Sequence, residues 1–291
     1  MTDHPRLPAY SFLLPLAPWE PAAIVAEALA SLRAQRWPAA ELVVSCDGAP
    51  SPALRQVLEA SALPLQWVIG PGGEGVGPVL ARGLEHCRHE LVLRADADDV
   101  SLPERSIEQL RRLLAQPELA ALSGPLPEFE HDPSCPGCWR TVPQGINQVR
   151  VFSRWRNPLN HPAAALRRSR VLAAGNYRAV PGFEDYDLWL RLLASGEQLD
   201  NSSQPLVFAR VGNAHLSRRK GWRYALAEAR FLWRCGCERL LPWSQVLLLS
   251  VLRLPLRLLP SALLMAVMGR LRRRAQPGPA STRRDVPAAD G

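Results

Sequence analysis

Three aspartates, Asp96, Asp98 and Asp99, lie within four residues, directly after residues 90–95, ELVLRA, which predict a short β-strand. Neighbouring carboxylates repel one another, so a folded chain needs a compensating charge at such a cluster. The cluster should lie between the carboxyl end of a strand and the next helix, where open α/β sheets bind ligands. Oxygen-only ligands favour Mg²⁺ or Mn²⁺ over Zn²⁺. The alternative is a solvated acidic turn that caps a helix.

Strand and helix patterns alternate through residues 10–115, which predicts a doubly wound α/β sheet. Strands are predicted at residues 10–14, 42–44, 65–69 and 91–95, and helices at residues 21–36, 53–61 and 79–87. A further helix should begin at Ser101, with Glu104 completing a capping box and Pro103 in the first turn. The connections are too long for hairpins, so we expect a mostly parallel sheet.

Charge is unevenly distributed along the 291 residues, whose formal net charge is +8. Residues 1–217 hold 20 basic and 23 acidic residues, a net of −3, whereas residues 218–291 hold 15 basic and 4 acidic residues, a net of +11. Uniform basicity would indicate a nucleic-acid-binding protein. A basic section that also contains apolar runs instead favours an anionic membrane surface as partner, and we expect no nucleic acid.

The composition changes twice after residue 115. Residues 117–160 are rich in Pro and Gly and should be largely irregular, with room for one strand. The apolar runs at 240–252 and 258–269 are both shorter than the ~20 residues of a membrane-spanning helix. We therefore expect basic amphipathic helices at 218–274 that lie on a membrane, with an appendage packed on the core as the alternative. Residues 275–291 have the composition of a disordered tail.

The cysteines and the start of the chain predict a cytoplasmic location. Six cysteines are not spaced as a disulfide framework for a chain of this length, and the first residues do not resemble a secretory signal. With the basic section, this predicts a protein peripheral on the inner face of the cell membrane. Cys135 and Cys138, with His131 upstream, are either part of a zinc site or free thiols in a loop, and a lone pair favours thiols.

A glycine-rich loop offers a competing interpretation. Gly70, Gly72 and Gly75 match G-x-G-x-x-G between a predicted strand and helix, and Asp96 follows about 20 residues later. This spacing suits an NAD-dependent enzyme that modifies a nucleotide sugar. However, the loop follows the third strand rather than the first, and Pro71 interrupts it. The dinucleotide interpretation is therefore the weaker alternative.

Several blocks, in order and with plausible spacing, resemble glycosyltransferase family 2. They are ELVVSCDGAPS, RADADDVSLPERSIEQL, HPAAALRRSRVLAAGNYR, FEDYDLWLRLLASGE and PLVFARVGNAHLSRR. The likeness is greatest to bacterial enzymes of exopolysaccharide or lipopolysaccharide synthesis. The resemblance implies an α/β fold of the GT-A type, a Rossmann-like fold for nucleotide-diphospho-sugar transferases. It would cover residues 8–217, followed by a helical membrane-associating appendage at 218–274 and the tail at 275–291.

On the donor side, the resemblance implies roles for five residues. Asp47 would contact the nucleobase of the donor, and the backbone near Pro15 would line the same pocket. Asp96 and Asp98 would hold the donor and its Mn²⁺ or Mg²⁺ ion. Arg82 is grouped with the donor-binding residues, because it stands in the helix where the family often has an asparagine.

On the acceptor side, the resemblance implies that Asp185 is the catalytic base and that Glu184 lies beside it. One base suffices for direct displacement, which inverts the anomeric centre. Acids also favour helix N-termini through the macrodipole, which is the structural alternative for both residues. His161 either orients the acceptor or is structural. Phosphate or surface acids could pair with three arginines, Arg167, Arg168 and Arg210.

The sequence thus predicts a metal-dependent, inverting glycosyltransferase of cell-surface polysaccharide synthesis. UDP-sugars are the commonest donors in the resembled family, and the acceptor would be a glycan or a lipid-linked glycan. Three departures leave the donor open: residues 16–19 lack an asparagine common in the family, Cys46 replaces the first of two acids, and Ala81 and Arg82 stand where an asparagine is common in the helix before the acidic run. A non-catalytic membrane adaptor with a glycosyltransferase-like body is the remaining alternative.

Overall fold

The computed structural model describes residues 7–212 and 221–258. The strands are β1 (Tyr10–Leu16), β2 (Glu41–Cys46), β3 (Leu65–Ile69), β4 (Leu91–Arg94), β5 (Val100–Ser101), β6 (Leu119–Ser123), β7 (Leu126–Phe129), β8 (Cys138–Arg140), β9 (Ala165–Arg167), β10 (Gln198–Asn201) and β11 (Val207–Arg210). The helices are α1 (Ala22–Arg33), α2 (Pro52–Glu59), α3 (Val76–His86), α4 (Arg105–Ala115), α5 (Ile146–Ser153), α6 (Arg168–Ala173), α7 (Glu184–Ala194), α8 (Trp222–Cys237) and α9 (Trp243–Leu258), with a 3₁₀ turn at His161–Ala163.

The central sheet has seven strands in the order β10-β6-β9-β4-β1-β2-β3. Strand β1 runs parallel to β2 and β4, and β2 runs parallel to β3. Strand β9 is antiparallel to both β4 and β6. Strands β2 and β4 are buried along their whole length, as expected for parallel strands with helices on both faces. The mostly parallel α/β sheet predicted from residues 10–115 is confirmed, with shifts of a few residues at element ends.

The predicted helix start at Ser101 is wrong. Helix α4 begins at Arg105, and Ser101 belongs to β5, which pairs with β11 through Val207. The Ser101 hydroxyl accepts a hydrogen bond from Arg105 Nη1 at 3.0 Å, so it does not cap a helix. Pairing with a strand about one hundred residues later overrides the local capping signal, which a sequence window does not contain.

Residues 117–160 are far more regular than predicted, because they contain β6, β7, β8 and α5. Strand β6 is fully buried between β9 and β10, with Ala121 paired to Leu166. Strands β5, β11, β7 and β8 form a second, four-stranded sheet in that order. These partners lie far along the chain, so local propensity did not reveal the strands.

Helices α8 and α9 pack against α7. Phe183, just before α7, stacks on Phe231 of α8 with ring centroids 4.8 Å apart. Glu228 of α8 is fully buried and pairs with Arg253 and Arg257 of α9 at 3.1 and 2.7 Å. Within the described ranges, no helix has the length and apolar character that a bilayer span requires. The predictions for residues 259–291 and for the loop at 213–220 lie outside the described residues.

Candidate active site

The three aspartates converge just after β4. One carboxylate oxygen from each of Asp96, Asp98 and Asp99 lies within 4.8 Å of the other two. Arg94, the last residue of β4, forms an ion pair with Asp96. The backbone N–H of Arg210 donates to Asp99 Oδ1 at 2.9 Å, whereas Asp99 Oδ2 is buried and accepts no hydrogen bond from any described residue. The structure thus places Asp99 beside Asp96 and Asp98, the two residues expected from the sequence as metal ligands.

The electrostatics of this acidic cluster fit a divalent cation. Burial, followed by the charges of Asp96 and Glu20, raises the pKa of Asp98 to about 6. Burial and the two neighbouring carboxylates hold the pKa of Asp99 well above its ordinary value. A divalent cation would relieve this repulsion and give the unpartnered Asp99 oxygen a ligand. Because every candidate ligand atom is an oxygen, the site suits Mg²⁺ or Mn²⁺.

Arg105 ties together the two ends of the acidic loop, a role that no sequence motif revealed. Its side chain is fully buried, and Nη2 donates to the carbonyl oxygen of Arg94 at 2.6 Å. Nη1 donates to Ser101 Oγ, and Nε donates to Gln109 Oε1 at 3.0 Å. Burial lowers the pKa of Arg105 to about 9. One guanidinium therefore fixes the loop on both sides of the aspartates.

Glu184 and Asp185 are the first two residues of α7, and their side chains have different partners. Asn157 Nδ2 donates to Asp185 Oδ2 at 2.6 Å, and the backbone N–H of Tyr186 donates to Asp185 Oδ1 at 2.7 Å. Glu184 Oε1 instead accepts from the backbone N–H of Gly182 at 3.1 Å. Burial raises the pKa of Glu184 to about 7. Asp185 is thus the more firmly oriented of the two carboxylates.

Tyr177 is buried and interacts electrostatically with both Arg94 and Asp185. Burial raises the pKa of Tyr177, Arg94 opposes the rise and Asp185 adds to it. Arg94, which also forms the ion pair with Asp96, and Asp185 are thus two charged groups that act on Tyr177. The Tyr177 hydroxyl lies 2.9 Å from His161 Nε2, and the His161 ring packs edge-on against Trp189. Burial and Arg94 hold the pKa of His161 well below its ordinary value, which favours a structural, neutral imidazole.

The glycine-rich loop binds a carboxylate of the protein itself. The backbone N–H groups of Glu74 and Gly75 donate to the Asp47 carboxylate at 2.9 and 3.3 Å. Amides that are engaged in this way are not free to bind a pyrophosphate, which argues against the dinucleotide interpretation. Asp47 follows β2, and Pro15 lies near the end of β1. Because β1, β2 and β4 are parallel, both residues share the sheet edge that carries the acidic cluster.

Arg82 lies against the same loop. Its Nη1 donates to Glu74 Oε2 at 2.6 Å, and its Nη2 donates to the carbonyl oxygen of Cys46 at 3.1 Å. A Cβ atom at Gly70 would come within 1.9 Å of the Arg82 guanidinium, so a larger residue there would displace this flexible side chain. Arg82 therefore holds the loop against the end of β2, next to the position predicted for the donor.

The arginines considered as phosphate ligands bind backbone carbonyls. Arg167 and Arg168 donate to carbonyl oxygens in the last turns of α4 and α3, where the helix dipole is negative. Neither arginine forms an ion pair with an acid among the described residues. Arg210 Nε donates to the carbonyl oxygen of Asp98 at 3.2 Å, so it supports the acidic loop, and its Nη2 pairs with Glu27, an exposed acid of the kind expected as the alternative to phosphate.

Cys135 and Cys138 are exposed free thiols. In the described part of the chain, neither joins a group of three or more metal-ligating side chains. The structure therefore favours the free-thiol interpretation over a zinc site.

The mostly parallel sheet, the acidic cluster at its carboxyl edge and the oriented carboxylate of Asp185 are features of a nucleotide-sugar transferase of the GT-A type. The family model Glycosyl transferase family 2 matches residues 20–172. This chain belongs to glycosyltransferase family 2 and is a glycosyltransferase of bacterial polysaccharide or glycan biosynthesis.

Three similar bacterial proteins, all described as glycosyl- or galactosyltransferases, agree with this assignment. An uncharacterized glycosyltransferase of Haemophilus influenzae is 35% identical and covers 88% of this chain and 96% of its own length. The amylovoran biosynthesis glycosyltransferase AmsE of Erwinia amylovora is 34% identical, with coverage of 76% and 83%. The UDP-Gal:alpha-D-GlcNAc-diphosphoundecaprenol beta-1,3-galactosyltransferase of Escherichia coli is 29% identical, with coverage of 88% and 93%.

Two solved structures share the fold. S. aureus TarS 1-349 in complex with UDP-GlcNAc has a TM-score of 0.60 at 16% identity, and the match covers 78% of this chain and 66% of that one. The mannosyltransferase PcManGT from Pyrobaculum calidifontis, in complex with GDP-Man and Mn²⁺, has a TM-score of 0.56 at 19% identity, with coverage of 78% and 61%. At these identities the likeness shows the fold alone.

Proposed function

We propose that this protein is a metal-dependent, inverting glycosyltransferase that moves a hexose from a UDP-sugar to a hydroxyl of a lipid-linked glycan. One observation carries the proposal: an oxygen-only cluster of three carboxylates after β4 is accompanied by a separate carboxylate, Asp185, that accepts a hydrogen bond on each oxygen. The names of the E. coli relative and of the TarS complex, which contain UDP-Gal and UDP-GlcNAc, support a uridine donor. The diphosphoundecaprenol acceptor of that relative supports a lipid-linked acceptor.

The chemistry divides between the two carboxylate groups. Asp185 accepts the proton of the attacking hydroxyl as the new bond to the anomeric carbon forms and the bond to the diphosphate oxygen breaks. A single displacement of this kind inverts the anomeric centre. Asp47, Arg82 and the backbone near Pro15 would bind the donor at the edge of the sheet where β1 and β2 end. Glu184 lies beside the base, with a pKa of about 7 that lets it exchange a proton near neutral pH.

Asp96, Asp98 and Asp99 would hold the divalent cation, for which the unpartnered Asp99 oxygen and the oxygen-only ligand set are suited. When bound, such a cation neutralises charge on a diphosphate leaving group. Arg94 and Arg105 keep the aspartates in place, through the ion pair with Asp96 and the hydrogen bond to the carbonyl of Arg94.

The test is a transfer assay with UDP-Gal, UDP-GlcNAc or GDP-Man as donor, Mn²⁺, and a GlcNAc-diphosphate lipid as acceptor. We expect transfer from a UDP-sugar, and we expect Asp185→Asn to abolish transfer while UDP still stabilises the protein against heat. Asp132→Asn, an exposed acid after β7, is the matched control and should leave transfer unchanged. An active Asp185→Asn variant would refute the base assignment, and transfer from GDP-Man alone would refute the uridine donor.

We further propose that α8 and α9 bind the inner face of the cell membrane, so that the enzyme works at the cytoplasmic surface. Large apolar side chains on these helices are 41–67% exposed: Trp222, Leu226, Trp233, Trp243, Leu247, Leu248, Val251, Leu252 and Leu258. Those of α8 recur at helical spacing on one face, and those of α9 occupy most of its exposed face. The rings of Trp233 and Trp243 pack 4.9 Å apart and connect the two helices.

The charges beside this apolar surface fit an anionic bilayer. Arg223, Arg230 and Arg239 are exposed. By contrast, Arg253 and Arg257 are turned inward and share Glu228 as their ion-pair partner, which balances one of their two charges. Exposed arginines next to tryptophans and leucines are typical of helices that lie in a membrane interface.

Vesicle sedimentation tests the membrane proposal. The wild type should bind phosphatidylglycerol-containing vesicles, more weakly at high salt. The double variant Leu247→Glu with Val251→Glu should release the protein from vesicles, because it places two charges in the apolar face. Leu114→Glu on α4, which also changes an exposed leucine, is the control. Unchanged sedimentation of the double variant would exclude this surface.

A further inference from the structure

We propose that Asn157 positions the base Asp185 and, with its other amide atom, binds a hydroxyl of the acceptor sugar next to the one that reacts. This role rests on the proposed function, because Asp185 needs a positioning partner only if it removes a proton. Asn157 lies in the segment between α5 and the 3₁₀ turn, and the sequence did not mark it.

The first half of the role is visible as hydrogen bonds on both oxygens of Asp185. Asn157 Nδ2 donates to Oδ2 at 2.6 Å, and the Tyr186 backbone N–H donates to Oδ1 at 2.7 Å. A carboxylate has no proton to give, so the amide end that faces it must be the NH₂ group. With one fixed donor on each oxygen, the carboxylate cannot rotate freely. A base held in this way keeps its lone pairs aimed at one position.

The second half follows from the other end of the same amide. With Nδ2 turned to Asp185, Asn157 Oδ1 is buried and has no hydrogen-bond donor among residues 7–212 and 221–258. Buried acceptors are nearly always paired, so an unpaired one beside a base calls for a partner that arrives with the substrate. A sugar offers hydroxyls on adjacent carbons. The reacting hydroxyl can therefore meet Asp185 while its neighbour donates to Asn157 Oδ1.

A purely structural role for Asn157 is a poorer explanation, because other contacts already fix its segment. The Tyr186 hydroxyl donates to the carbonyl oxygen of Ser153 at 2.6 Å, on the N-terminal side of Asn157. Asn201 Nδ2 donates to the carbonyl oxygen of Pro158 at 3.0 Å, on the C-terminal side. The backbone is thus held on both sides, and the Asn157 side chain is left to act on Asp185.

Asp185 lies among other ionisable groups, so a new negative charge beside it should change the pH dependence of the reaction. Glu184 lies beside it on α7, and Tyr177 and Tyr186 also interact with it. From α9, Arg253 acts on Tyr186. A carboxylate at position 157 would add a like charge within hydrogen-bonding distance of Asp185 and would remove the donor to Oδ2. We expect such a change to move the acidic limb of the pH–rate profile to higher pH.

The experiment compares Asn157→Ala, Asn157→Ser and Asn157→Asp with wild type in the transfer assay, using the UDP-sugar that the wild type accepts and the GlcNAc-diphosphate lipid. Asn157→Ala should lower kcat about 100-fold, the loss typical of a misplaced catalytic group, while the KM for the donor stays within about threefold. Asn157→Ser, whose hydroxyl is too short to reach Asp185, should lose as much. Asn147→Ala and Asn147→Asp, at an exposed asparagine of α5, should behave like wild type.

Acceptor analogues test the second half. A deoxy-GlcNAc acceptor that lacks the hydroxyl next to the reacting one should react poorly with wild type, and this discrimination should largely disappear in Asn157→Ala. Full kcat in Asn157→Ala, or an unshifted pH profile in Asn157→Asp, would overturn the positioning role. If Asn157→Ala does not fold, Asn157→Ser decides by the same criteria. A wild type that transfers no sugar would refute the proposed function itself, whereas an active wild type with unaffected variants would refute only this role.

Discussion

Gly77, near the start of α3, is the position where one added methyl group should displace the proposed base. A Cβ atom at Gly77 would lie 2.2 Å from the carbonyl oxygen of Arg178 and 3.0 Å from Glu184 Cγ. Ordinary contacts between carbon and oxygen begin at about 3.3 Å, so the segment before α7 would have to move by about 1 Å. The nearest atom is backbone, and it cannot turn away as a flexible side chain can.

This displacement should reach catalysis because Asp185 follows Glu184 directly. A shift of about 1 Å in a catalytic group costs roughly 100-fold in rate, so we expect Gly77→Ala to lower kcat by about that factor. Overpacking should also cost about 1–3 kcal/mol of stability, which corresponds to about 2–4 °C in Tm per kcal/mol for a domain of this size. The better helix propensity of alanine would offset up to about 1 kcal/mol of this loss.

The assay is kcat in the transfer reaction, corrected for the folded fraction, together with Tm by calorimetry. Gly83→Ala is the matched control, because this glycine lies on the same helix and its Cβ would meet Leu13 Cδ1 at 2.5 Å and Ser45 Cβ at 2.8 Å. It should lower Tm without moving α7, and kcat per folded molecule should persist. If Gly77→Ala keeps the wild-type kcat, or if both variants lose activity equally, the link from α3 to the base is refuted.

Two further predictions concern single carboxylates. The pKa of Glu184 is raised from 4.5 to about 7, so its ionisation destabilises the fold increasingly between these pH values and fully above them. In urea unfolding, Glu184→Gln should therefore stabilise the protein by up to roughly 3 kcal/mol at pH 8 and scarcely at pH 4. Equal effects at both pH values would contradict the assignment. Mn²⁺ should raise the Tm of wild type and restore turnover after EDTA, and the Asp98→Asn variant should lose most of both effects. An unchanged Mn²⁺ response in the variant would exclude Asp98 as a ligand.

The sequence was sufficient for the features that depend on neighbours along the chain. The strands up to β4 and the acidic run after it follow from apolar stretches, turn residues and clustered charge, all of which are local signals. Because parallel strands end at one edge, Asp47 and the acidic run could be placed together before any coordinates were known. Helix α7 carries the same kind of local signal, since Leu188, Trp189 and Leu192 recur at helical spacing and are all buried.

Pairing across the fold decided what the sequence did not show. Ser101 became a strand residue through β11, and β6 became a strand through partners that follow more than forty residues later. Glu228 could be buried only because Arg253 and Arg257 return from the next helix to neutralise it. In each case the stabilising contact joins distant segments, which local propensity does not contain.

The same division holds in the active site. The cluster of charged residues identified Asp96 and Asp98 as candidate metal ligands. The role proposed for Asn157 depends instead on a contact with Asp185, 28 positions away along the chain. Which residues carry charge is fixed by the sequence, because ionisable side chains and their spacing are local properties. Which of them are oriented, neutralised or left without a partner is decided by the tertiary structure, because hydrogen bonding and desolvation depend on what the fold places around each group.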